Sequence, residues 1–233
     1  MLKFLDSGQK NFIQKLSIIL DKRRKVDGKK VKLVRKIIKD IRKNKDLSLI
    51  KYEKKYTKKN KIYANDLIFS KKEITQTIKK LDNKTKKSID LAYSRILNFH
   101  KKQKMSSFSF KDKFKNSFSY KSSAINKIGV YVPGGLASYP SSVLMNCIPA
   151  IVAGVKKIYM TTPSMSKQYN PAVIYAAKKC KVKEIYKVGG AQAIAAMAYG
   201  TKIVNKVDSK SSPLLGEKKD IEQDNMLIED QSK

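Results

Sequence analysis

The sequence predicts an α/β protein: a helical amino-terminal region followed by a mostly parallel sheet. Three observations carry that prediction. Apolar residues between residues 8 and 103 recur with the three- and four-residue spacing of amphipathic helices. From residue 127 the grammar changes to strand, glycine turn, helix, strand, and repeats. Of the 233 residues, 41% are hydrophobic, enough for a real core. Four segments follow: a helical region over 1–105, short strands and a connection over 106–126, an α/β domain over 127–208, and a divergent polar, disordered tail over 209–233.

The helical region reads in order. "FIQKLSIIL" places Phe12, Leu16, Ile19 and Leu20 on one face, and Asp27-Gly28 breaks the pattern. "VKLVRKIIKDIRK" repeats it through Val31, Val34, Ile37, Ile38 and Ile41. "LSLIKYEKKY" follows with Asp46 as its expected N-cap. A Lys/Asn stretch near 57–65 is a loop. "SKKEITQTIKKL" opens with Ser70 and Glu73 at the spacing of a capping box. "KTKKSIDLAYSRILNFHKKQ" is a long helix with Ile89, Ala92, Ile96 and Phe99 toward the core.

"SSFSFKDKFKNSFSYKSSA" then alternates aromatic with polar residues, as two short strands do. Beyond it, "IGVYVP" is a strand and "GGLASYP" a loop. "SSVLMNCIPAIVAG" is a helix with Ser141 or Ser142 near its cap and Gly154 at its end. "KKIYMTT" is a strand. "NPAVIYAAKKC" is a helix with Asn170 as N-cap and Pro171 as first residue. "KEIYKVGG" is a strand and turn, "AQAIAAMAYG" a helix, and "TKIV" begins a further strand.

Composition narrows the function classes. The formal net charge is +33, from 52 basic and 19 acidic residues. Such a surface binds polyanions non-specifically at low salt. The excess is nearly all lysine, with Arg only at 23, 24, 35, 42 and 95. A dedicated nucleic-acid reader concentrates Arg and stacking aromatics on one element, so a lysine-rich composition is the plainer account. Cys147 and Cys180 stand in unrelated contexts, which fits a reduced, cytoplasmic protein. The amino terminus has no apolar signal core. "VLMNCIPAIVAGV" is too short and too interrupted to cross a bilayer, so no membrane partner is expected.

Ligands of parallel sheets bind at the carboxyl ends of strands. Those ends carry two glycine pairs. "YVPGG" at 131–135 permits close backbone approach to a ligand, or serves as a tight turn alone. "VGGAQAIAA" at 188–196 sets Gln192 in a first helical turn among alanines, to bind a ligand or to cap and pack. His100 is the single histidine and sits on an ordinary helix. With no second ligand at metal spacing, no zinc site is expected, and no Ser-His-Asp arrangement can be assembled.

The stretches "IGVYVPGGLASYPSSVLMNCIPAIVAGVKKIYMTTP", "NPAVIYAAKKCKVKEIYKVGGAQAIAAMAYGT" and "VD" closely resemble the histidinol dehydrogenase family. "KRRKVD", "IRKNKDLSLIKYEKKYT", "SKKEI" and "AYSRILNFHKKQ" extend the resemblance over roughly residues 10–208. The resemblance implies Rossmann-like domains, a homodimer, zinc that positions substrate, and a Glu-His pair for base catalysis. It implies oxidation of L-histidinol to L-histidine in histidine biosynthesis, with reduction of two NAD. Carried over residue by residue, Tyr131 and Gln192 are the NAD contacts. The family's next contact is the Asn of a "GPGN" motif, where this chain reads "SKSSPLLG" after Asp208. The zinc ligands and the catalytic pair have no counterpart here, so no catalytic or metal residue is assigned.

Residues 209–233 hold four lysines and six acids, net −2, with no apolar period. The expectation is a premature end, and a chain inactive alone. Two alternatives stand beside it: half of a split enzyme completed by a second chain, and a basic, non-enzymatic nucleic-acid-binding protein.

Overall fold

A computed structural model describes residues 5–24, 28–58, 61–104, 106–134, 139–163 and 169–211. Its helices are α1 (Phe12–Arg24), α2 (Gly28–Thr57), α3 (Lys71–Lys79), α4 (Asn83–Gln103), α5 (Pro140–Ala153), α6 (Pro171–Lys179) and α7 (Gly190–Tyr199). Its strands are β1 (Phe108–Lys111), β2 (Ser117–Tyr120), β3 (Lys127–Tyr131), β4 (Lys157–Thr161), β5 (Glu184–Tyr186) and β6 (Ser209–Ser211). Four of these strands form one sheet in the order β5-β4-β3-β6, and every pairing within it is parallel.

The strands of a sheet covered on both faces alternate between two cores. Ile128, Val130, Ile158 and Met160 point to one face, where they meet Val143, Leu144, Cys147 and Ile148 of α5 and Val173, Ile174 and Ala177 of α6. Tyr159 and Tyr186 point to the other, against Ile37, Ile41, Leu49 and Tyr52 of α2 and Ala193, Ala196 and Met197 of α7. The helical amino-terminal segment therefore supplies cover for both faces, since Ile89 of α4 joins the first core. Gly129 explains its own identity: a Cβ there would lie 2.5 Å from the sulfur of Met197.

Local chemistry fixes the helix ends. Ser70 and Glu73 make the expected reciprocal capping box. Asp82 caps α4 by accepting from the Thr85 amide at 2.7 Å. Asn170 caps α6, with Pro171 following, and Gly154 ends α5 in the left-handed conformation at φ 95°. Ser141 and Ser142 lie inside α5, whose N-cap is Tyr139.

Four expectations change. Non-helical Lys45 (φ 49°, ψ −122°) divides α2 into two helical stretches, so a separate helix does begin at Asp46 as expected, but the Asp46 carboxylate accepts from the amides of Lys202 and Ile203 at 2.9 and 3.1 Å. "TKIV" begins no strand, because that tether and the Thr201 hydroxyl hold residues 201–204 in bends. Phe99 is 61% exposed rather than core-facing. The structured chain runs past Asp208, because Ser209–Ser211 pair with Ile128–Val130 and the Asp208 carboxylate accepts from the Lys127 amide. The rest of the expected tail lies outside the described residues.

The sheet's two edges differ. Outside β5, residues 67–69 run antiparallel: the Phe69 amide donates to Ile185 and the Lys187 amide to Leu67. Outside β6, no strand lies among the described residues. β1 and β2 form a separate antiparallel ribbon, and all eight of its residues are exposed.

Candidate cofactor corner at the carboxyl ends of the strands

The carboxyl ends of β3, β4 and β5 bring the two glycine turns together around Pro163. A Cβ on Gly134 would lie 2.6 Å from the Pro163 ring, and one on Gly189 would lie 2.4 Å from Pro163 Cβ. Both glycines are thus required by close approach of another part of the chain, before any ligand is considered. Gly135 lies outside the described residues.

Gly190 adopts φ 63° at the start of α7, a conformation that suits glycine. Its amide donates to the Tyr131 hydroxyl at 3.2 Å, a contact across 59 residues of sequence. Gln192, one turn into α7, is 3% exposed. Its Nε2 donates to Glu53 Oε1 at 2.9 Å, and the Gly189 amide donates to the same oxygen at 3.4 Å. The two residues singled out from the sequence therefore meet on the Gly189–Gly190 turn. A pocket of about 310 Å³ opens beside Gln192 and the turn, lined by Val34, Ile37, Glu53, Tyr56 and Gly189 among others.

Sequence reasoning missed Glu53, Pro163 and the Glu73–Lys187 pair. Glu53 sits in a run of lysines and reads as a solvated helix face, yet it is 3% exposed. The available signal was its spacing: it follows Leu49 by four residues and adjoins Tyr52, both on the buried stripe of α2. Lys187 is nearly buried, pairs with Glu73, and lies 4.9 Å from the centre of the Phe69 ring. Burial alone would raise the Glu73 carboxyl, but hydrogen bonds from Lys187 and Ser70 outweigh it and hold the group below its usual value.

The described residues do not suit zinc. No three of their His, Cys, Asp and Glu side chains gather where a metal ion could sit. His100 is half-buried, and its Nδ1 shares a hydrogen bond with Gln103 on α4. Cys147 and Cys180 are buried. The Cys180 thiol beside it, together with burial, pushes the Cys147 thiol well up. No described helix is long and apolar enough to cross a membrane.

The family model for histidinol dehydrogenase matches residues 21–213. The chain belongs to the histidinol dehydrogenase family. A histidinol dehydrogenase from Pelagibacter ubique (strain HTCC1062) is 52% identical over 214 residues, covering 91% of this chain and 49% of that protein. One from Helicobacter hepaticus (strain ATCC 51449 / 3B1) is 40% identical over 213 residues, again with 91% and 49% covered. The crystal structure of histidinol dehydrogenase from Elizabethkingia anophelis superposes with a TM-score of 0.74 at 36% identity, covering 84% of this chain and 44% of that one. The chain spans about half the length of the curated relatives it matches. The matched span, residues 21–213, includes β6.

Proposed function

We propose that this chain is the cofactor-holding part of a histidinol dehydrogenase of L-histidine biosynthesis, and that it takes NAD at the corner of Tyr131 and Gln192. The observation that carries the reading is their convergence on the Gly189–Gly190 turn, Tyr131 at the Gly190 amide and Gln192 through Glu53 at the Gly189 amide, at the carboxyl ends of parallel strands, where such sheets bind ligands. Bound NAD would supply the hydride acceptor. The chain's part is to position it: Tyr131 presents a ring and hydroxyl from the end of β3, and Gln192 offers a buried amide beside the pocket. Ala191, Ala193 and Ala195 let α7 lie close to its neighbours. The oxidation of L-histidinol, with zinc and a base, is assigned to residues this chain does not carry, so the chain alone is expected to be inactive. Homodimer formation belongs to the same proposal, as does the cytoplasm, which suits two reduced thiols.

Saturation-transfer NMR with NAD tests the assignment. Transfer to NAD from the wild-type chain and its loss in a folded Gln192→Ala variant are expected. Equal transfer in both would reject Gln192 as a contact.

A second reading, a split enzyme completed by another polypeptide, is favoured by two surfaces. The outer edge of β6 has no strand among the described residues, and Phe108, Phe110, Phe118 and Tyr120 of the ribbon are 58%, 56%, 48% and 42% exposed. Co-elution with the second half of the Pelagibacter ubique relative is then expected, and separate elution would reject it. Non-specific nucleic-acid binding from the charge of +33 should vanish by about 0.2 M salt. Binding that survives it would favour the nucleic-acid alternative.

A further inference from the structure

We propose that Glu53 is the positioning residue of this corner: it sets which way the Gln192 amide faces, and it closes the start of α7 to phosphate. The proposal rests on NAD as the ligand. The start of a helix exposes amides that attract anions. Here a side-chain oxygen of the chain itself meets them. Glu53 Oε1 lies 2.9 Å from Gln192 Nε2 and 3.4 Å from the Gly189 nitrogen, with Glu53 itself 3% exposed.

Two consequences follow from the chemistry of a carboxylate. It only accepts hydrogen bonds, so Gln192 must turn its NH₂ toward Glu53 and its oxygen away. That oxygen then lies over Gly190, 2.9 Å from where a Cβ would stand. The atom Gln192 offers to a ligand is therefore an acceptor, and its match is an N–H or O–H donor of the cofactor. Second, Glu53 Oε1 already occupies the Gly189 amide at the head of α7, so a pyrophosphate oxygen would have to displace it. The uncharged parts of NAD meet this corner. The walls agree, since Val34, Ile37 and Tyr56 give the pocket an apolar side suited to a ring.

The discriminating variant is Glu53→Gln, which keeps the shape and one acceptor oxygen but removes the charge and lets both amides flip. Calorimetric titration of NAD should show affinity about tenfold weaker than wild type, the loss of roughly one charge-assisted hydrogen bond. Titration with inorganic pyrophosphate should show a gain of several-fold. Thermal unfolding serves as the control, with Tm moving by only a few degrees. Unchanged NAD and pyrophosphate affinities in a folded variant would overturn the proposal. A readout needing neither NAD nor a variant is the nuclear Overhauser contact between the Gln192 side-chain NH₂ and the Glu53 γ-protons of the wild-type chain. Its presence supports the orientation, and its absence refutes it. Failure of wild type to bind NAD would remove the cofactor reading, while the Overhauser contact and the pyrophosphate gain still decide the role of Glu53.

Discussion

The turn at Gly189–Gly190 and the neighbourhood of His100 are the two places where the sequence carries chemistry-bearing residues, and the fold treats them differently. Around the turn, β3, β5, α2, α7 and the loop after β4 converge, and Tyr131, Gln192, Glu53 and two backbone amides share hydrogen bonds. His100 is half-buried and lines a cavity with Ser122, Ser123, Pro149 and Val152, but its side-chain hydrogen bond goes to Gln103, three residues away on the same helix. The difference teaches that polar groups hydrogen-bonded across the fold, rather than the presence of a reactive residue type, mark a built corner. The hydrogen-bonded corner is built within this chain, while His100 joins no group of three His, Cys, Asp or Glu side chains among the described residues.

The largest effect expected is from Gly189→Val. Its side chain would be driven into Pro163, which a Cβ alone would already meet at 2.4 Å. Overpacking of that kind costs about 1–3 kcal/mol or more, read as a drop in the midpoint of urea unfolding. Gln192→Ala comes next. It deprives the buried Glu53 carboxylate of a donor, for about 1–3 kcal/mol, so unfolding should shift while far-ultraviolet circular dichroism stays native. Tyr131→Phe removes one neutral hydrogen bond from Gly190 and should cost about 0.5–1.5 kcal/mol in the same assay.

The Glu73–Lys187 pair gives a smaller, pH-dependent term. The Glu73 carboxyl is lowered from 4.5, so its stabilisation is complete above that value and fades as pH falls through the folded-state value. Wild type should lose Tm below about pH 4.5 more steeply than Glu73→Gln, and parallel curves would contradict the pairing. His100→Ala, at the far end of the comparison, should change stability by less than about 0.5 kcal/mol.

Much of this contrast could be read from the sequence, for identifiable reasons. The parallel sheet was legible because β3, β4 and β5 are short apolar runs between glycine turns and helices, and the caps at Ser70 and Asn170 are local signals. Tyr131 and Gln192 were legible through the resemblance. Glu53 was not, because burial of one acid in a lysine run is decided by what packs against α2 from over a hundred residues away. Asp46 misled for the same reason: its carboxylate found amides at 202 and 203 rather than those of its own helix. Ser209–Ser211 look like the start of a polar tail, since a three-residue edge strand takes its identity from its neighbour and not from its own side chains.

The central proposal is that this chain holds NAD at the corner of Tyr131 and Gln192 and does not oxidise L-histidinol by itself. The most direct test is histidinol-dependent NADH formation, followed by absorbance, with purified chain, L-histidinol, NAD and zinc. No NADH above the protein-free control is the predicted result. Turnover at the rate of an ordinary dehydrogenase would contradict the account, and would mean that the residues described here assemble a base and an electrophile that their geometry does not reveal.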